Sequence, residues 1–170
     1  VAALRGHDVT LIEARDTVGG ALALWASLPG REFFMKSIEW WERELDRLGV
    51  RIRAGTTATA DAILAGKPDA VILATGALYS RGGHSNFRDI PIPGHDRDFV
   101  CRPEDILLGT TNPSGKVLVL DGEGYNAGVG VAEVLARRGA EVEYLTAAFS
   151  PVSPRVRGAG PRRLLLTSCG

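Results

Sequence analysis

The sequence predicts an α/β fold with a doubly wound parallel sheet, and three observations lead to this prediction. Short aliphatic runs recur along the chain, and segments with helical periodicity lie between them. Strands that alternate with helices in this way form parallel β-α-β units, whose helices cover the faces of one sheet. The third observation is a glycine-rich turn at residues 121–128, between a predicted strand and a predicted helix. This order is typical of nucleotide-binding units.

The first half of the chain contains three predicted strands and two predicted helices. The β-branched and aliphatic residues 7–12 favour a buried strand. Residues 31–48 form the clearest helix, because apolar residues recur there at spacings of four and three: Phe34, Ile38, Trp41, Leu45 and Leu48. We expect Trp41 and its neighbour Trp40 to pack in the core. A half-exposed strand, a short helix and an apolar strand follow, at residues 50–53, 61–65 and 69–74.

The second half contains one strand–helix–strand unit. Before it, residues 79–99 are rich in Gly, Pro, Asp and Arg and are interpreted as a loop, and residues 103–108 as one or two helical turns. The unit begins with a strand at residues 116–120, followed by the glycine-rich turn at 121–128. A helix then continues to about residue 138, and a second strand follows at 141–145. Residues 151–170 show no clear amphipathic period, and we expect an irregular tail there.

Composition excludes several classes of protein. The 170 residues include 20 Lys and Arg against 20 Asp and Glu, and this balance disfavours nucleic acid or an anionic membrane as partner. The longest aliphatic run, residues 70–74, is far shorter than the ~20 residues that span a bilayer. Cys101 and Cys169 are too few for a disulfide framework or a four-ligand metal site. We therefore expect no metal ligand among these residues, and neither nucleic acid nor a membrane as partner. A cytoplasmic location and a small-molecule substrate are further expectations for the protein.

The glycine-rich turn has the spacing of a dinucleotide-binding loop, with one residue more than the usual fingerprint. Gly122, Gly124 and Gly128 would let the backbone turn sharply and let a pyrophosphate approach the N-terminus of the next helix. One residue counts against tight binding, and another bears on which cofactor could bind. Asp121 would crowd a phosphate, and Thr146 stands where an acidic residue usually binds the ribose of NAD. Whether this second site takes NADH, NADPH or neither stays open.

A second group of residues in the first half indicates nucleotide binding. Glu13 follows the first predicted strand, a place from which a carboxylate accepts hydrogen bonds from an adenosine ribose. The pair Gly19-Gly20 follows closely, and Ala74-Thr75-Gly76 ends a later apolar strand. Taken alone, Glu13 could equally be a solvated residue at a strand end. Its neighbours favour the functional interpretation.

Four motifs in this region occur in the order seen in pyridine-nucleotide-type flavin oxidoreductases. They are IEAR at 12–15, VGGAL at 18–22, LPGREF at 28–33 and AVILATGA at 70–77. As a set they resemble the C-terminal FAD/NAD(P)-binding region of the NADH:flavin oxidoreductase group, which includes 2,4-dienoyl-CoA reductase and trimethylamine dehydrogenase. The loop DGEGY at 121–125 is similar to the branch of the trimethylamine and dimethylamine dehydrogenases. The resemblance covers about residues 1 to 150.

The resemblance implies a set of cofactor-binding residues in the first half of the chain. Glu13 would bind the adenosine ribose of FAD, or of an ADP in its place, and Arg31 would neutralise a cofactor phosphate. The other implied contacts are made by backbone groups close to the cofactor, at Gly19, Gly20, Ala21, Ala58, Ala74, Thr75 and Gly76. Ala21 stands where relatives often carry glutamine. No side chain is expected to be catalytic, because the flavin ring itself transfers the hydride.

The resemblance also implies a domain organisation. Residues 1–110 would be part of an FAD/ADP-binding domain, and residues 111–150 the start of an NAD(P)-type Rossmann domain. Relatives of this kind carry an N-terminal FMN-binding barrel and a cysteine-bound 4Fe-4S cluster, which we expect only in a part that precedes these residues. The parent protein would then contain this barrel in the same chain and form a homo-oligomer.

The implied parent activity is a flavin-dependent oxidation or reduction of amines or enoyl thioesters, with NAD(P)H as a possible electron donor. Two alternatives remain. One is a non-catalytic ADP-binding scaffold, and the other is an electron-feeding subunit like the small subunit of glutamate synthase. For the 170 residues alone we expect no turnover and an FAD affinity weaker than micromolar, since they contain no first phosphate loop for FAD.

Overall fold

The computed structural model describes residues 1–82, 84, 89–122, 126–146 and the backbone of 165–168. Helices alternate with strands along these residues, and each strand pair in them is parallel, which confirms the α/β class. The elements are, in chain order, β1 (Thr10–Ile12), α1 (Gly20–Ala26), α2 (Met35–Arg47), β2 (Arg51–Arg53), α3 (Ala60–Ala65), α4 (Pro103–Leu107), β3 (Lys116–Asp121), α5 (Asn126–Arg137), β4 (Glu141–Thr146) and β5 (Leu165–Ser168). Two short 3-10 helices are also present, Ala3–Arg5 and Glu32–Phe34.

The chain divides into two compact units. Unit 1 consists of Val1–Ala26 and Arg31–Ala77, and unit 2 of Ser27–Gly30 and Leu78–Gly170. The chain therefore leaves unit 1 for a short segment after α1 and then returns to it. The domain boundaries expected from the family resemblance, 1–110, 111–150 and 151–170, stay a prediction.

Unit 1 contains the two-stranded parallel sheet. Thr10 lies opposite Arg51 and Ile12 opposite Arg53, so the register is continuous over three residues. The pairing extends one residue beyond β1, because the backbone N–H of Glu13 donates to the carbonyl of Arg53 at 3.0 Å. Two parallel strands need a crossover connection, and α1 and α2 provide it.

The helix expected at residues 31–48 begins with a 3-10 turn, and its α-helical part, α2, is Met35–Arg47. Ile38 is buried, with 4% of its surface exposed. Trp40 and Trp41 are 51% and 55% exposed, so the prediction that both pack in the core is wrong. The apolar face of α2 is buried at Ile38, which lies against Gly19. The indole rings of Trp40 and Trp41 instead contact each other edge to face, with 5.2 Å between the ring centroids.

Residues 69–74 do not form the expected strand. They have no regular secondary structure, and the side chains of Ile72 and Leu73 are 85% and 79% exposed. Apolar and β-branched residues stabilise a strand through pairing and through burial against neighbours. Within the described residues, the sheet of unit 1 contains only β1 and β2, and the segment pairs with neither.

Unit 2 contains the predicted strand–helix–strand unit, which is confirmed with its boundaries shifted by a residue or so. Strands β3 and β4 pair in parallel from Lys116 opposite Glu141 to Asp121 opposite Thr146, and α5 connects them. Helix α5 packs on the sheet through one buried cluster, whose largest fully buried members are Tyr144, Leu28 and Leu135. Leu28 belongs to the short segment that leaves unit 1.

The tail at 151–170, which was expected to be irregular, contains one regular element. Leu165–Ser168 form β5, which pairs in parallel with β4 and extends the sheet to the order β3-β4-β5. The other residues of the tail, including Cys169, lie outside the described part of the chain. In the part that is described, no helix has the length and apolar character needed to cross a membrane.

Candidate functional site

Glu13 lies directly after β1, at the end where a parallel strand presents its carboxyl terminus. Its side chain is half-buried, and its Oε1 accepts a hydrogen bond from the backbone N–H of Arg15 at 2.9 Å. The backbone carbonyl of Glu13 accepts from the N–H of Thr56 at 2.9 Å. The main chain of this residue is therefore held by the segment that follows β2, and the carboxylate closes the next turn.

Arg15 connects Glu13 to the glycine pair, a role that the sequence alone did not reveal. The guanidinium Nη1 of Arg15 donates to the backbone carbonyl of Gly20, the first residue of α1, at 3.2 Å. Among the described residues, these contacts bring the Glu13 and Gly20 segments together through Arg15. The sequence signal for this role is an arginine that lies between an acidic strand end and a glycine pair, in a loop that contains no other long side chain.

Gly19 and Gly20 both have positive φ angles, of 117° and 49°, but their surroundings differ. A Cβ on Gly19 would lie 2.9 Å from Cδ1 of Ile38, so this glycine lets the turn pack closely against α2. A Cβ on Gly20 would meet no atom within 4 Å. Ala21, the next residue of α1, is exposed. The open side of Gly20 is where a ligand can approach the backbone.

Arg31 carries an unusual polar atom. Its side chain is partly buried, and its Nη1 is fully buried with no hydrogen-bond partner among the described residues. A buried guanidinium N–H without an acceptor is costly, and an anion such as a phosphate oxygen would satisfy it. The backbone carbonyl of Arg31 accepts from Phe34 N–H at 3.0 Å, which begins the 3-10 helix and fixes the main chain at this point. The residue fits the implied contact with a cofactor phosphate.

The remaining predicted residues of unit 1 are exposed and have no regular secondary structure. Ala58 and the segment Ala74-Thr75-Gly76 lie at the surface of the chain described here, and Gly76 has a φ of 75° with open space on its Cβ side. No hydrogen bond among the described residues joins Ala58 or this segment to Glu13 or Gly20. Their roles stay predictions.

The second predicted loop lies in unit 2, between β3 and α5. Gly124 lies outside the described residues, and Gly122 is half-buried directly after β3. Gly128 is in the first turn of α5, and a Cβ on it would lie 2.9 Å from Cγ of Asp121 and 3.0 Å from its Oδ2. Close approach of the helix to the strand is the function of the last glycine of a dinucleotide-binding loop. Here the glycine accommodates a carboxylate.

Asp121 is part of a buried polar network at the carboxyl ends of β3 and β4. The hydroxyl of Tyr144 donates to Oδ2 of Asp121, and the side chain of Thr146 also hydrogen-bonds to Tyr144. Asp121 and Thr146 are 7% exposed and Tyr144 is 1% exposed. Burial, and secondly the hydrogen bond to Asp121, raise the pKa of Tyr144 far above its ordinary value. The Asp121 carboxylate is thus held beside the first turn of α5.

We expect Gly128→Val to lower the free energy of unfolding by about 1–3 kcal/mol, because the added side chain overlaps the buried Asp121. Urea denaturation followed by circular dichroism measures this loss. In an Asp121→Gly background the same substitution should cost less, since the overlapping atoms are absent. An equal cost in the two backgrounds would show that Asp121 is not the obstacle.

The comparisons with known proteins identify relatives for most of the chain. No protein-family model matches it. The chain is 40% identical over 155 residues to the N,N-dimethylglycine/sarcosine dehydrogenase of Chromohalobacter salexigens, a match that covers 89% of this chain and 22% of the relative. Among solved structures, it is similar to the 6-hydroxypseudooxynicotine amine oxidase of Pseudomonas geniculata N1, with a TM-score of 0.82, 34% identity, and coverage of 88% and 22%. A 2-naphthoyl-CoA reductase matches with a TM-score of 0.73, 33% identity, and coverage of 85% and 20%.

The relatives are a dehydrogenase, an amine oxidase and a reductase, and are therefore oxidoreductases. These matches confirm the resemblance predicted from the motifs, because the chain is homologous to a region of such enzymes. The chain spans about a fifth of the length of these relatives.

Proposed function

We propose that unit 1 binds the ADP portion of a flavin, FAD or an ADP in its place, in a flavin-dependent oxidoreductase. The observation that carries the proposal is the buried Nη1 of Arg31, which has no hydrogen-bond acceptor among the described residues and which a phosphate oxygen would satisfy. Glu13, at the end of β1, would accept hydrogen bonds from the adenosine ribose. Gly19, Gly20 and Ala21 would admit the cofactor close to the backbone, and Ala58, Ala74, Thr75 and Gly76 would border it.

For the longer protein we propose the cofactors and the fold that the sequence motifs imply. A bound flavin would supply hydride and electron transfer, and the residues of this chain would bind and orient it. The parallel sheets would be parts of doubly wound Rossmann-like domains, with Gly122, Gly124 and Gly128 in an NAD(P)-type loop. An FMN barrel and a 4Fe-4S cluster would lie in the preceding part of a homo-oligomeric, cytoplasmic enzyme.

Amines and enoyl thioesters are the substrate classes that we propose for this enzyme. The names of the relatives support them, because two of the relatives reported above act on amines and one reduces a CoA thioester. Both classes are small molecules.

The proposal is tested by titrating the isotope-labelled 170-residue chain with ADP and following its amide chemical shifts by nuclear magnetic resonance. This method detects ADP binding even when the affinity is weak. We expect amide shifts to cluster at residues 13–21 and at Arg31. Arg31→Ala should weaken ADP binding roughly 10- to 100-fold, the equivalent of one hydrogen bond to a charged group. Arg47→Ala is the matched control, because Arg47 is exposed and paired with Glu44 at 2.8 Å. Shifts that are absent, or equal affinities of the two variants, would contradict the proposal.

A second candidate function is favoured by Asp121. If its carboxylate prevents a pyrophosphate from reaching the first turn of α5, the second loop does not bind NAD(P)H, and the region is a non-catalytic nucleotide-binding scaffold. Reduction of the flavin in the longer protein by NADH or NADPH distinguishes the two candidates. A flavin that stays oxidised supports the scaffold, whereas rapid reduction supports a working NAD(P)H site or an electron-feeding subunit.

A further inference from the structure

The loop between β1 and α1, residues 13–19, connects two groups of the proposed site, Glu13 and Gly20, and the segment after β2 holds its first part. The backbone N–H of Gly55 donates to the carbonyl of Arg15 at 2.8 Å, and that of Thr56 donates to the carbonyl of Glu13 at 2.9 Å. These two main-chain hydrogen bonds fix the loop at Glu13 and Arg15. They do not involve Gly20, which begins α1 at the other end of the loop.

The Arg15 side chain spans the rest of the loop. Its Nη1 donates to the backbone carbonyl of Gly20 at 3.2 Å, and the backbone N–H of the same arginine donates to Oε1 of Glu13 at 2.9 Å. A carbonyl oxygen has two lone pairs, so Gly20 can accept from the guanidinium and still take part in α1. One residue therefore holds both the carboxylate and the glycine that would meet the cofactor.

Gly20 needs this support because its own surroundings hold it weakly. A Cβ at this position would meet no atom within 4 Å, whereas a Cβ on Gly19 would meet the buried Ile38. Glycine also has the largest conformational freedom to lose when its backbone is fixed. A hydrogen bond to the carbonyl of Gly20 restricts the glycine before a ligand arrives. A site that is already held in its bound geometry loses less entropy on binding, and its affinity is higher for that reason.

We propose that Arg15 is a positioning residue of the ADP site, whose guanidinium holds Gly20 in place relative to Glu13 without touching the ligand. The inference rests on the proposed function, because it takes Glu13 and Gly20 as groups that meet the cofactor. All the contacts involved lie within unit 1. Because the loop carries the carboxylate for the ribose as well as the glycine, loss of the Arg15 side chain should weaken binding of the nucleoside itself. Arg31, by contrast, would act on the phosphate alone.

Arg15→Met and Arg51→Met form a matched pair for the test. Each removes one guanidinium from unit 1, and Arg51 is paired with Asp8 at 2.9 Å at the start of β2, away from Glu13. The isotope-labelled chain is titrated with ADP and, separately, with adenosine, at a temperature where circular dichroism shows each variant to be folded. We expect Arg15→Met to weaken the binding of both ligands about fivefold, and Arg51→Met to change either affinity by less than about twofold. Arg15→Lys should restore most of the loss, because its ammonium can donate to the same carbonyl.

Arg31→Ala separates this inference from the proposed function. It should weaken the binding of ADP and leave that of adenosine unchanged, since adenosine has no phosphate. If Arg15→Met weakens ADP binding alone, its guanidinium acts on the phosphate through its charge, and the positioning role is overturned. Equal losses in Arg15→Met and Arg51→Met would overturn it too. If Arg31→Ala leaves ADP binding unchanged, the proposed function itself fails; if Arg31→Ala weakens it, only the role of Arg15 is lost.

A measurement on the unaltered chain keeps the test decisive if Arg15→Met does not fold. The guanidinium signals of Arg15 and Arg31 are followed by nuclear magnetic resonance while ADP is added. We expect the signal of Arg31 to shift and that of Arg15 to stay nearly in place, because Arg15 remains bonded to the carbonyl of Gly20. A shift of the Arg15 signal as large as that of Arg31 would show direct contact with the ligand and would overturn the inference.

Discussion

Replacing Gly19 by alanine is expected to lower the free energy of unfolding by about 2–5 kcal/mol, because two unfavourable effects add. The residue has a φ of 117°, which strains any residue with a Cβ. The new Cβ would also lie 2.9 Å from Cδ1 of Ile38, a side chain that is 4% exposed and cannot easily move. Since small domains are stable by only about 5–15 kcal/mol, this is a large fraction of the total.

Gly20→Ala is the control for this prediction, and both variants are measured by urea denaturation. Gly20 also has a positive φ, 49°, but a Cβ there meets open space. Replacing Gly20 should lower the free energy of unfolding by only about 1–2 kcal/mol, the cost of holding a residue with a side chain at a positive φ. Similar losses in the two variants would show that the contact with Ile38 contributes nothing.

Tyr144→Phe is expected to lower the free energy of unfolding by about 1–3 kcal/mol at neutral pH, because it removes a hydrogen-bond donor from the buried Asp121. The ring itself is retained, so packing against the cluster of unit 2 is preserved. Thermal or urea unfolding of the two proteins at pH 7 measures the difference. A variant as stable as the original protein would indicate that other donors replace the phenol.

The same residue makes stability depend on alkaline pH. Burial and Asp121 raise the pKa of Tyr144 above its unfolded value of about 10, so the stabilisation is complete below that pH. Above it, the unfolded state loses a proton that the folded state retains, and stability falls by up to about 1.4 kcal/mol per pH unit. The difference in unfolding free energy between wild type and Tyr144→Phe should therefore diminish from about pH 10 upward. A constant difference would contradict the assignment.

The elements with local signals were predictable from the sequence. Helix α5 and its flanking strands could be predicted because a glycine-rich turn and aliphatic runs mark them. The end of α2 is likewise marked by a glycine, Gly49, which has a positive φ angle shortly after the helix. The exposure of Trp41 and Ile72 was not predictable in the same way. Periodicity indicates which face of an element is apolar, but what covers that face depends on residues distant in the sequence.

The candidate site shows the same division. The acidic residue after a strand and the glycine pair can be recognised by position, whereas the unpaired Nη1 of Arg31 is a property of its surroundings. Gly130 had no recognisable meaning in the sequence, since a single glycine inside a helix has many explanations. In the structure a Cβ on Gly130 would lie 2.8 Å from Cδ1 of Leu28, which is about a hundred residues away in the sequence.

This separation has a kinetic consequence. The contact between Leu28 and Gly130 closes a loop of about 100 residues, for which the chain-entropy cost is about 4 kcal/mol by the logarithmic rule. Contacts between such distant residues slow folding, because the entropy is lost before the contact is gained. The core of unit 2 is therefore completed by a segment that a ribosome synthesises long before α5. The contact of Leu28 with Gly130 can form only after α5 has been synthesised, and we expect it to form late in the folding of unit 2.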